Sequence, residues 1–211
     1  MTTVHRVSTL ALAATLLGTG AAHAQDPRLL HRLDSTTLAA VGAVMDSART
    51  AGLPVEPLVQ RALEGAAKHA EPDRIVAAVR RLTGELGLAR AALGRESSPA
   101  ELDAGASALR AGVRVEDLTL LRQRRAHTLT VALAALTDLV VGGVPPDSAA
   151  SAVLALASRA RDDQIADFRR AVERDIALGA TPAAAAAVRV DATLRDVTGA
   201  AAQNPNAPRK P

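Results

Sequence analysis

The chain has 211 residues, 25 Lys and Arg against 22 Asp and Glu, no cysteine, and one aromatic residue, Phe168. That excludes a disulfide-stapled domain and a thiol nucleophile, and it removes the aromatic faces on which sugars and single-stranded nucleic acid stack. A pI near 10.4 does not mark a nucleic-acid binder. With no Tyr or Cys to titrate between His and Lys, a small excess of arginine raises the pI alone, and the formal charge is only +3.

At the N-terminus, His5 and Arg6 precede an apolar run from Val7 to Leu17, followed by Ala22-His23-Ala24. A basic start, a short apolar segment and an A-x-A site predict a signal peptide over 1–24, with the mature chain starting at Gln25. The run is short for a membrane span and has no basic stop-transfer flank, so a membrane-spanning protein is not expected. The expected location is periplasmic or secreted. One domain is expected over 25–197, and the aperiodic, proline-bearing end 198–211 reads as a disordered tail.

Between these ends the pattern is helical throughout. Leu38, Val41, Met45 and Ala48 share one helical face; so do Ile75, Val79 and Leu82, and again Ile165, Phe168, Val172 and Ile176. The predicted helices cover 28–50, 54–69, 72–93, 98–110, 114–126, 128–141, 145–160, 162–178 and 182–197. Gly84 and Gly87 fall inside the third, which is read as one long helix.

A short phrase recurs between helices: "AGLPVEPL" at 51–58, "AGVRVEDL" at 111–118 and "GGVPPDSA" at 142–149, with a weaker copy, "LGATPAAA". Gly52, Gly112, Gly143 and Gly179 each follow a helical run, where a left-handed residue ends a helix. Leu53, Val113 and Val144 then fold back on the last turn, and proline or a carboxylate opens the next helix. "SSPAE" adds a capping box from Ser98 to Glu101. Aligning 51–81 with 142–170 gives two-helix units repeating every 30–36 residues. The expected fold is all-α, with helical hairpins stacked into an α-solenoid-like or irregular bundle.

The chemical inventory is sparse. His31, His69 and His127 are scattered, H-E-x-x-H and G-x-S-x-G are absent, and the glycines are not gathered into a phosphate loop. No catalytic residue, metal or cofactor is expected. One charge anomaly stands out: residues 118–137 carry Arg122, Arg124, Arg125 and His127 with no acid among them. Either these form a solvated face, or Arg122 and Arg125, neighbours at i,i+3, contact an anion or a partner. The expected function is a non-catalytic scaffold in the cell envelope that binds an unidentified protein or peptide. The alternatives are an anion binder acting through this cluster and, behind it, a hydrolase with an unrecognised carboxylate site.

Overall fold

The computed structural model describes residues 26–203, so the predicted signal peptide and residues 204–211 lie outside it. The described residues are all-helical, in the order α1 (Pro27–Leu30), α2 (Ser35–Thr50), α3 (Glu56–Ala67), α4 (Pro72–Leu93), α5 (Pro99–Arg110), α6 (Val115–Arg124), α7 (Thr130–Val141), α8 (Pro146–Ala157), α9 (Asp162–Ala177) and α10 (Pro182–Gln203).

Most helix bounds fall within three residues of the sequence expectation, and two depart further. The first expected helix is divided, because Asp34 caps a new one: its carboxylate accepts the N–H groups of Thr36 and Thr37, both at 3.0 Å. At the other end, α10 runs to Gln203, six residues into the segment expected to be a disordered tail. Helix α4 is continuous through Gly84 and Gly87.

Helices two apart in sequence lie side by side. α2, α4, α6, α8 and α10 make one row, while α5, α7 and α9 make the other, which α1 and α3 begin. α4 packs on both α3 and α5, but α3 does not pack on α5 as α5 does on α7. The core divides near this break. One cluster joins Leu29, Val41, Met45, Leu58, Ile75, Val79 and Leu86. The other runs from Ala92 and Leu93 at the end of α4 through Leu118, Leu133, Leu156 and Phe168 to Ala186.

The turns closing α2, α3, α5, α7 and α9 are Schellman ends. Gly52, Gly112, Gly143 and Gly179 have φ of 69°, 104°, 93° and 101°. Beyond each, the next N–H reaches back five residues, as from Val113 to Ala108 O at 3.1 Å and from Val144 to Leu139 O at 2.9 Å. His69 makes the same turn at φ 52°, with Ala70 N–H on Gly65 O at 3.0 Å. A Schellman end is a local device and does not record which row the chain enters. Gly52 leads from α2 to α3, out of the even row, whereas His69, Gly112, Gly143 and Gly179 lead into it. Segments 51–81 and 142–170 therefore share punctuation but occupy opposite rows, and the repeat is in phase with His69 rather than with Gly52.

Candidate functional site

Alternating rows gather the turns at two ends. The turns α2–α3, α4–α5, α6–α7 and α8–α9 lie at one end, and this is where the arginine-rich stretch falls. Loop residues Ala126 and His127 stand between two open clefts. One, of 480 Å³, is walled by Gly94 to Ser97, Glu101 and Arg122. The other, of 510 Å³, is walled by Arg124, Arg125 and the turn Ala157 to Asp162. Three turns at this end therefore bring Arg95, Arg122, Arg124, Arg125, Arg159 and Arg161 together.

These arginines have different tasks. Arg125 is the C-cap of α6 and 6 % exposed. Its guanidinium donates to Ala157 O at 3.0 Å, Ala160 O at 2.8 Å and Thr128 O at 3.2 Å, and it pairs with Asp162. A cation against the last carbonyls of α8 meets the negative end of that helix. Arg125 thus ties α6 to the α8–α9 turn. The expectation that it faces a partner is corrected: a buried cation must be matched by fixed acceptors, and the fold supplies them all.

Arg122 is half committed. Its Nη2 donates to Glu101 at 2.6 Å and its Nη1 approaches His127 O at 3.4 Å, while its buried Nε has no partner. Glu101 is the point where three helices meet. It closes the capping box on Ser98 at the start of α5 and accepts the N–H of Leu129, the N-cap of α7, at 2.9 Å. Burial works against ionising this carboxyl. The hydrogen bonds from Ser98, Leu129 and Arg122 outweigh it and hold the pKa below the ordinary glutamate value.

The remaining cations face outward. Arg124 donates to Leu154 O at 3.2 Å, and Arg161 pairs with Asp163 at 3.1 Å. Arg95 and Arg159 are exposed and have no hydrogen-bond or ion-pair partner among the described residues. Glu96, Glu101, Asp162 and Asp163 are the acids on this surface, so six arginines leave it net positive. The sequence pattern located the centre of the surface but not Arg95 or Arg159, which stand alone in their own turns and are brought beside Arg122 and Arg124 by the alternation of rows.

Ser97, His127 and Glu101 line one cleft, but among the described residues no hydrogen bond joins the His127 ring to either. Ser97 Oγ donates to Leu93 O at 2.9 Å, and Glu101 is ionised and fully engaged. No group of three or more His, Cys, Asp or Glu among the described residues could hold a metal, and none of their helices is long and apolar enough to cross a membrane. The joint residues Gly52, Gly112, Gly143 and Gly179 do not enter either cleft. No family model, curated protein or solved structure matches the chain.

Proposed function

We propose that this protein is an exported, non-catalytic helical-repeat scaffold whose arginine-rich end binds an acidic segment of another envelope or secreted protein. The observation that carries this is Arg95 and Arg159, exposed and without a partner among the described residues, flanking two shallow clefts on a surface built from three turns at one end of the stack. Arginine forks match carboxylates in planar pairs, and charges held on rigid turns lose little freedom on binding. Arg122 and Arg125 serve the same surface indirectly, by fixing the turns that present it.

Cross-linking in a native envelope fraction tests the reading. Wild-type bait should give an adduct that Arg95→Glu/Arg159→Glu bait loses while keeping its circular dichroism spectrum. An undiminished adduct would contradict it. Export is proposed from the leader pattern at 1–24, and the intact mass of exported protein should correspond to a chain starting at Gln25.

A further inference from the structure

On the flank of the stack, away from the turn end, lies a cleft of 230 Å³ lined by Arg61 of α3, Arg74, Ala77, Ala78, Arg81, Leu82 and Glu85 of α4, and Arg110 of α5. It lies where α3 and α5 fail to pack on one another, so the face of α4 between them is left open. Positions 74, 77, 78, 81 and 85 share one side of a helix. On that side the two residues between the arginines are alanines, so a ligand can lie close to the helix with Arg74 and Arg81 about 10 Å apart along the axis, one at each end.

The four guanidiniums fall into two pairs. Arg61 is held by Glu64 at 3.0 Å, and Arg110 is held by Glu85 through two hydrogen bonds, at 3.0 and 2.6 Å. Arg74 and Arg81 are exposed and have no partner among the described residues. Glu64 and Glu85 offset Arg61 and Arg110, so the unpaired Arg74 and Arg81 leave the concavity net positive and repel one another. An anion with several oxygens would relieve that repulsion. The concavity suits a compact anion, and the arginine fork suits phosphate oxygens. We infer that this cleft is a phosphate-binding site that takes a pyrophosphate- or phosphomonoester-bearing ligand between Arg74 and Arg81, with Arg61 and Arg110 on its sides.

The test is calorimetric titration at low ionic strength with pyrophosphate, alongside co-sedimentation with phosphatidylcholine vesicles with and without phosphatidate. Three proteins are compared: wild type, Arg74→Gln/Arg81→Gln, and a charge-matched control, Arg32→Gln/Arg80→Gln, whose two exposed arginines lie outside the cleft. The cleft variant should bind more than tenfold more weakly while the control keeps its affinity. Pyrophosphate should raise the melting temperature of wild type and control but not of the cleft variant. Unliganded, the cleft variant should melt no lower than wild type, because it relieves repulsion. Binding in solution identifies a soluble phosphate. Retention only on phosphatidate vesicles, lost in the same variant, identifies a lipid headgroup. No binding in either arm, or an equal loss in the control, overturns the assignment.

Discussion

The two halves of the stack are held differently. Around α1 to α4 the buried residues are mostly large aliphatics, Leu29, Leu38, Val41, Met45, Leu58, Val59, Ile75, Val79 and Leu82, and the polar ties are at the surface. Arg28, for example, bridges Asp26 and Glu56 in the open and, with Gln60, draws the Glu56 pKa down to about 2. Beyond α5 leucines at 118, 121, 129, 133, 136, 139, 154 and 156 still form the core with Phe168, but alanine joins them in number, at 132, 135, 149, 150, 152, 157, 160, 185 and 186. Alanine lets helices approach closely but removes little apolar area from water per residue. In that half, charged groups move inside, and Glu101 with Arg122 and Arg125 with Asp162 fix each turn against its neighbour. There, hydrogen bonds between these side chains and helix ends add to the apolar packing in tying neighbouring turns together.

This contrast can be broken at its strongest point first. Arg125→Ala removes the donor for Ala157 O, Ala160 O and Thr128 O and leaves the part-exposed Asp162 to solvent. It should cost about 3–5 kcal/mol in urea melts, because three carbonyls lose one charged donor together. Glu101→Ala uncaps α5 and leaves Arg122 and the Leu129 N–H unmatched, at a cost of about 2–4 kcal/mol. Because the Glu101 pKa is lowered on folding, its contribution is present above the unfolded glutamate value, near pH 4.3, and is lost as the pH falls through the folded value. Glu101→Gln should therefore flatten part of the loss of stability on acidification below about pH 4.5. Gly112→Val forces a β-branched residue to φ 104° and should cost about 1–3 kcal/mol. The smallest effect sharpens the contrast from the other side. Gly87 lies inside α4 with nothing within 4 Å of an added Cβ, so Gly87→Ala should stabilise by up to about 1 kcal/mol in the same melts.

Much of the fold was legible because its signals are local. Leu38, Val41 and Met45 declare a helix face, Gly112 and Val113 declare its end, and Ser98 with Glu101 declares the next start. What stayed hidden depends on distance in sequence. Nothing near Arg125 announces that the carbonyls of Ala157 and Ala160 lie over it, 32 and 35 residues on. The row that a helix joins is likewise absent from its cap, and this is why Gly52 resembled Gly143. Asp34 was readable as a cap, since Ser35 and Thr36 follow it and the face of Leu38, Val41 and Met45 begins just beyond. The spacing of Arg74 and Arg81 about two alanines was also present in the sequence. Only the gap between α3 and α5 makes it a cleft.

The division of the turn-end arginines into structural ties and free contacts is tested most directly by titrating a glutamate-rich peptide onto folded Arg95→Glu/Arg159→Glu protein and onto wild type at low and high salt. Wild type should bind with an affinity that weakens with salt, and the variant should bind more than tenfold more weakly with an unchanged urea midpoint. Equal affinity in the two proteins would contradict that division.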